Sequence, residues 1–343
     1  MERIRFGSTG LSVTRTGFGA LPIQRLGMEE AASLARAAYD RGIRLFDTAR
    51  VYTDSEEKLG RALKPVRAEL VIATKTAAKD GAQLTRDLET SLRMLKTDYI
   101  DIYQFHNPDF VPEPGGADGL YDAALAAKRA GKIRFIGITQ HSLPLAGRAI
   151  DSGLYDALQY PFNHLSTPEE VAMVRRCGEK GMGFLAMKAM SGGLIRDARL
   201  PFVFLRGFKH VAPIYGMQRM SELEQFARLE ACPPEMDEEM LREIERDRAE
   251  LSGAFCRGCG YCLPCPQGIP IDMVNRLKQM LTRSPVAPYM TEEMAGRIGL
   301  AENCTACGAC EKRCPYHLKP YETLKGHLEF YRALREKWLA AGK

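Results

Sequence analysis

The chain has 343 residues, with 48 Lys and Arg against 43 Asp and Glu, a formal net charge of +5, and 45% hydrophobic and 27% charged residues. That composition belongs to an ordinary globular protein, so disorder and collagen-like repeats are excluded. No stretch approaches the roughly 18 to 20 uninterrupted apolar residues of a spanning helix, and no basic run reads as a nucleic-acid footprint. The first ten residues, MERIRFGSTG, lack the apolar core of a secretory signal, so a cytoplasmic location is expected. At about 150 residues per domain the length allows two domains, or one large α/β barrel with an appendage.

After a hairpin-like start at Ile4–Val13, short apolar runs alternate with helical patterns. The strand candidates are Thr16–Ala20, Ile43–Asp47, Leu70–Thr74, Ile100–Phe105, Phe135–Thr139, Ala157–Tyr160, Gly183–Met187 and Ala212–Tyr215. Amphipathic stretches lie between them, at Met28–Arg41, Ser55–Leu63, Gln83–Leu95, Gly119–Ala130 and Pro168–Glu179. Their apolar residues recur at three- and four-residue spacing, as in helices that cover one face of a sheet. Eight such units imply right-handed crossovers and a (β/α)₈ TIM barrel. A doubly wound sheet is the alternative, but Gly17-Phe-Gly19-Ala-Leu-Pro22 lacks the third glycine of its fingerprint. The pattern breaks at Cys232-Pro233-Pro234, a charged helix follows at Asp237–Glu250, and a last helix is read at Tyr321–Leu339, with Phe330 and Trp338 expected to dock it onto the barrel. We therefore expect a barrel over 1–235 and a small domain over 236–343.

Eight of the ten cysteines crowd into that second part. The first run is Cys256-x₂-Cys259-x₂-Cys262-x₂-Cys265-Pro266, and the second is Cys304-x₂-Cys307-x₂-Cys310-x₃-Cys314-Pro315. Two-residue gaps let successive thiolates wrap a compact [4Fe-4S] cluster, and in two-cluster ferredoxins the fourth cysteine crosses to the other cluster. The expected sets are Cys256, Cys259, Cys262 and Cys314, and Cys304, Cys307, Cys310 and Cys265. Zinc is the competing reading, but two Cys-x₂-Cys knuckles leave no use for further cysteines followed by proline. Two oxidised clusters of about −2 each would bring the net charge near +1. Cys177 reads as a buried small hydrophobe, and nothing marks Cys232 as reactive.

Four polar residues fall at or just beyond candidate strand ends, where catalytic groups of barrels converge: Asp47, Tyr52, Lys75 and His106. A lysine ammonium beside a phenol should lower its pKa, and an aspartate would hold the lysine charged. The phenol would then protonate a developing alkoxide while the histidine orients or polarises the carbonyl oxygen. His141, His164 and His210 read as ordinary loop or core histidines.

The chain resembles the aldo-keto reductase family, in the branch with a carboxy-terminal dicluster ferredoxin-like domain. The residues that carry the resemblance are Phe6-Gly-Ser-Thr-Gly-Leu-Ser-Val13, Gly17-Phe-Gly19, Phe46-Asp-Thr-Ala-Arg-Val-Tyr52, Ile72-Ala-Thr-Lys75, Gln104-Phe-His106, Ile136-Gly-Ile-Thr139 and Gln159-Tyr-Pro-Phe-Asn163. Lys188, Gly192-Gly193 and Gly216-Met-Gln-Arg-Met220 continue it. The resemblance implies nicotinamide-dependent carbonyl reduction, or the reverse alcohol oxidation, with Asp47, Tyr52, Lys75 and His106 as a catalytic tetrad. It assigns Thr139, Gln140 and Gln159 to the carboxamide, and Lys188, Gly192, Gly193, Gly216, Gln218 and Arg219 to the rest of the cofactor, with Arg219 leaning to NADP(H). Gln225-Phe226 departs from the family's Glu-Asn against adenine. Arg50 is a candidate for an anionic substrate or for a salt bridge.

Nicotinamide delivers two electrons as a hydride, whereas iron–sulfur clusters pass them singly. Three readings follow. In the first, the tetrad acts on a carbonyl or alcohol while the clusters relay electrons or support the structure. In the second, the barrel holds flavin or substrate and single electrons arrive from a partner; the eight cations against four acids after Cys310 read as a solvated face of the last helix or as a surface that steers an acidic carrier such as ferredoxin or flavodoxin. In the third, the protein is a non-enzymatic redox sensor.

Overall fold

The computed structural model describes residues 1–251, 255–283 and 286–341; Lys343, counted above among the basic residues, lies outside them. Two compact units divide the chain. The first comprises Met1–Ala189 and Ala198–Arg242, the second Met190–Asp197 and Glu243–Lys343. The division therefore falls at Arg242, against an expected 235, and the short segment 190–197 belongs to the second unit.

The first unit is a closed parallel barrel, reached through a two-stranded antiparallel hairpin, β1 (Arg3–Arg5) and β2 (Ser12–Thr14). Its strands are β3 (Gly17–Gly19), β4 (Leu45–Asp47), β5 (Val71–Thr76), β6 (Ile100–His106), β7 (Ile133–Thr139), β8 (Ala157–Pro161), β9 (Gly183–Met187) and β10 (Val211–Gly216), and β10 closes on β3. The helices are α1 (Met28–Asp40), α2 (Ser55–Leu63), α3 (Gly81–Leu95), α4 (Leu120–Arg129), α5 (Leu143–Ser152), α6 (Pro168–Glu179), α7 (Arg199–Arg206) and α8 (Met220–Ala231). Sequence periodicity misses α5, whose Leu-Pro-Leu-Ala-Gly-Arg-Ala-Ile run is short and interrupted. Its start was nonetheless signalled by Ser142, whose hydroxyl accepts from Leu145 N, with proline in the first turn.

Inward residues of the strands, among them Leu45, Val71, Ala73, Ile102, Ala157, Leu185, Ala212 and Ile214, pack with Ile4, Phe6, Leu11 and Val13 of the hairpin. The hairpin thus plugs one end of the barrel. Its turn needs glycine at position 7: φ is +54°, and a Cβ there would sit 2.4 Å from Gly183 N. Gly17 and Gly19 serve closure, because a Cβ on either would meet Ile214 of β10 at under 3 Å.

The second unit holds α9 (Glu238–Leu251) from Glu243 on, then α10 (Ile271–Val274), α11 (Leu277–Arg283), α12 (Glu292–Gly299), α13 (Ala309–Lys312) and α14 (Pro320–Ala340). Its core joins Ile271, Val274, Leu277, Leu281 and Ile298 to Leu324, Leu328 and Tyr331 of α14. Phe330 and Trp338, expected to dock α14 onto the barrel, pack on that core. A unit this small has little apolar surface, and its one long helix must supply much of the core.

Phe6 is fully buried in the plug. Phe6→Ala should destabilise the barrel by about 3–5 kcal/mol. Thermal denaturation followed by near-ultraviolet circular dichroism checks this, and an unchanged midpoint would show that the plug is dispensable.

Candidate active site and candidate metal centres

Asp47 ends β4, and Lys75 lies within β5 on the neighbouring strand, where Asp47 pairs in register with Ala73. Two residues further on, the Lys75 ammonium reaches back to donate to Asp47 Oδ1 (2.7 Å), Asp47 Oδ2 (2.8 Å) and the Thr48 carbonyl (2.6 Å). Both side chains are buried, at 4% and 1% exposed. Burial pushes Asp47 up and Lys75 down, and each is opposed by the other's charge. Tyr52 follows on the loop after β4, its ring centroid 5.2 Å from Lys75 Nζ. His106, the last residue of β6, meets the Tyr52 ring edge-on at 5.9 Å. The structure therefore brings all four residues together.

The electrostatics differ from expectation at Tyr52. The phenol is pushed up, first by burial and then by the Asp47 carboxylate. The Lys75 ammonium gives its three donors to Asp47 and Thr48 and none to the phenol, and its charge is answered by Asp47. Tyr52 is thus held as a protonated acid. Burial, helped by the Lys75 charge, pushes His106 down to about 3, so its imidazole is neutral. Its Nδ1 is buried without a hydrogen-bond partner.

The loop that carries Tyr52 is braced from both sides. Thr48 Oγ1 donates to Ser55 Oγ, which donates to the Ala20 carbonyl, both at 2.9 Å. Arg50 pairs with the buried Glu56, whose other oxygen accepts from Thr74 Oγ1 at 2.7 Å. Of the two roles considered for Arg50, the structure shows the salt bridge.

Thr139 ends β7, and Gln140 and Gln159 lie beside it, all buried. Gln140 N donates to the Gln159 carbonyl at 2.9 Å. The Gln159 side chain accepts from Gln104 Nε2 (3.1 Å) and donates to Asp47 Oδ1 (3.3 Å), which ties these residues to the ion pair. Gln140 Oε1 is buried with no partner among the described residues, an acceptor of the kind a carboxamide NH₂ satisfies. Lys188 follows β9 at φ +55°, and its carbonyl accepts from Asn163 Nδ2. Asn107, which sequence reasoning passed over, donates its backbone N–H to Thr139 Oγ1 and accepts from His141 N.

The remaining cofactor candidates are placed differently. Gly216 ends β10, and the backbone N–H groups of Gln218 and Arg219 both donate to Glu222 Oε2, at 2.8 and 3.1 Å. A carboxylate already takes the amides that an anion would use at this helix start. Phe226, in place of the family's asparagine, is buried and stacks on Tyr215 at 4.0 Å. Gly192 and Gly193 belong to the second unit. Thr139, Gln140 and Gln159 fit a carboxamide, while the Gln218 and Arg219 amides are already taken by Glu222.

In the second unit, Cys256, Cys259, Cys262 and Cys314 line one hollow of about 300 Å³ with Tyr316, Leu318 and Pro320. Cys265, Cys304, Cys307 and Cys310 line another of about 340 Å³ with Ile269, Ile271 and Leu324. The fourth cysteine of each run thus faces the three of the other. Among the described residues no three Cys, His, Asp or Glu converge closely enough for a single ion. Four thiols around an apolar-walled volume fit a polynuclear cluster. Gly258 N already donates to Cys256 Sγ at 3.4 Å, the kind of bond that stabilises a ligated thiolate. Burial pushes Cys256 up and Cys262 to about 12, a cost that bound iron would remove. The cations after Cys310 meet local acids: Lys319 pairs with Glu322, Arg332 with Glu302 and Arg335 with Glu292.

Comparison with known proteins agrees with this layout. Residues 15–201 match the aldo/keto reductase family, and residues 255–319 match a 4Fe-4S dicluster domain. The chain is 32% identical over 218 residues to an aldo-keto reductase (YhdN) of Bacillus subtilis, covering 57% of this chain and 64% of that protein. It is 30% identical over 224 residues to L-galactose dehydrogenase of Arabidopsis thaliana, covering 59% and 69%. An aldo-keto reductase structure from Pseudomonas aeruginosa aligns with a TM-score of 0.58 at 27% identity, over 67% of this chain and 94% of its own. One from Klebsiella pneumoniae, solved with NADP and acetate, aligns at 0.61 and 22%, over 71% and 94%.

Two outcomes are expected. If the hollows are cluster sites, Cys314→Ser should give the same electron paramagnetic resonance spectrum as Cys256→Ser and retain half the iron; a spectrum matching Cys304→Ser would overturn the crossing. The native His106 pKa of about 3 lies below the ordinary 6.5, so the unfolded chain binds more protons between them. Stability from this group is therefore complete above pH 6.5 and is lost as pH falls towards 3. Imidazole ¹⁵N shifts should show His106 neutral at pH 5, and titration near 6.5 would refute the burial argument.

Proposed function

We propose, from the premise that this chain belongs to the aldo/keto reductase family and carries a C-terminal 4Fe-4S dicluster domain, that its barrel reduces a carbonyl compound, or oxidises the corresponding alcohol, with NADP(H). The observation that carries this reading is the buried Asp47–Lys75 pair beside a protonated Tyr52 and a neutral His106. A nicotinamide dinucleotide, when bound, supplies or accepts the hydride. The chain's own residues do the rest. Tyr52 donates its phenolic proton to the carbonyl oxygen as negative charge develops there. Neutral His106 offers an N–H to the same oxygen and stays uncharged. In the reverse direction Tyr52 takes the proton back. Asp47 keeps Lys75 in place, and Lys75 fixes Thr48 at the base of the Tyr52 loop. Thr139, Gln140 and Gln159 would hold the carboxamide, and Lys188, Gly216, Gln218 and Arg219 would line the rest of the cofactor. Support for the nucleotide comes from the similar Klebsiella pneumoniae structure, which was solved with NADP.

The second unit would hold its clusters on Cys256, Cys259, Cys262 and Cys314 and on Cys265, Cys304, Cys307 and Cys310. Clusters held there supply single electrons, for relay or for structural support of a unit with little core of its own. An acidic one-electron carrier is the class of partner such a relay would need.

Tyr52→Phe removes the acid and keeps the ring. Carbonyl reduction with NADPH should fall by about 10²–10⁴-fold, with the cluster absorption unchanged. Unchanged turnover in that variant would remove Tyr52 from the mechanism.

A further inference from the structure

Arg276 lies in the second unit, two residues beyond α10, and its guanidinium sits between two turns far apart in sequence. On one side Nη2 donates to the carbonyls of Gly192 (2.8 Å) and Ser191 (3.4 Å). On the other side it presses on the Cys256-Arg257-Gly258-Cys259 turn, where a Cβ on Gly258 would lie 2.4 Å from Nη1 and 3.0 Å from Cζ. A Cβ on Gly192 would lie 3.2 Å from Nη2. Both glycines are left-handed, at φ +61° and +64°. The planar cation fits because both neighbours lack side chains. Its Nε is buried with no hydrogen-bond partner among the described residues. The groups of negative or potentially negative charge around it are Cys256, Cys259, Asp272 and Tyr289. Arginine does not deprotonate in proteins, so this is a fixed positive charge beside the first cysteine run.

We propose that Arg276 is a positioning residue that raises the reduction potential of the cluster held by Cys256, Cys259, Cys262 and Cys314. Cluster reduction adds one electron, taken from an external reductant, and forms or breaks no bond. The added negative charge is favoured by the adjacent cation, as net charge and hydrogen bonding set such potentials. It also competes with the Ser191 and Gly192 carbonyls for the guanidinium. The potential-setting role stands on the second unit alone.

The test is a potentiometric titration of the full-length, cluster-loaded protein, followed by electron paramagnetic resonance. Arg276→Gln should shift the reduced-to-oxidised ratio of one cluster at least tenfold towards oxidised, a fall of about 59 mV for one electron. Arg276→Lys should shift the same cluster in the same direction by less. The cluster of Cys265, Cys304, Cys307 and Cys310 is the internal control and should not move. If the Gln variant fails to load iron, the Lys variant decides alone. Loaded variants in which neither cluster moves, or both move equally, would overturn the proposal.

Discussion

The barrel site depends on one constraint: two opposite charges enclosed together between β4 and β5. A lone ammonium or carboxylate at that depth would be very unfavourable, and removing one partner of such a pair typically costs about 3–5 kcal/mol. The strand register sets how the pair meets. Asp47 lies beside Ala73, so Lys75 begins two residues too far along and must lean back. Leaning back satisfies all three of its donors, on both carboxylate oxygens and on Thr48. Asp47 then holds Gln159, and Gln159 holds Gln104, so four strands share one network. A fully satisfied network of this kind is stiff.

That saturation explains where sequence reasoning failed. An ammonium next to a phenol should favour phenolate, but only when its charge is not already answered. Here it is answered, and burial decides the direction at Tyr52. Strands such as Gly183–Met187 were legible because apolar runs on both faces of a barrel wall are continuous. The cysteine runs were legible because ligand spacing is local. Arg276 was not, since its contacts with Gly192 join residues 84 apart and no local pattern marks it. Glu222 was not either: it acts on backbone N–H groups, which every sequence contains. Phe226 was visible as a departure, but its partner Tyr215 was not.

The changes at the two ends of the proposed cofactor site have different physical consequences. At the nicotinamide end, buried amides with an unfilled acceptor favour one orientation of a carboxamide. At the other end, Phe226 is buried against Tyr215, and Glu222 places negative charge at the start of α8. Anions at a helix start gain from its free N–H groups and dipole. Here a side chain collects that gain permanently. The helix start therefore has no free Gln218 or Arg219 amide left to offer an anion.

The second unit ties these parts of the chain to its own folding. Segment 190–197 leaves β9 and returns to α7, so it is covalently part of the barrel's course, yet its compact packing is with residues beyond 243. Three successive left-handed residues, Ser191, Gly192 and Gly193, form a turn closed by Gly193 N donating to the Met190 carbonyl, and its outward carbonyls need a donor. Arg276 supplies it, and Arg276 is seated against the turn that carries Cys256 and Cys259. Where metal ligation furnishes the folding free energy of a small unit, loss of metal loosens everything that leans on it. The order of the Ser191–Gly193 turn is therefore linked, through a single guanidinium, to whether the first cysteine set is loaded.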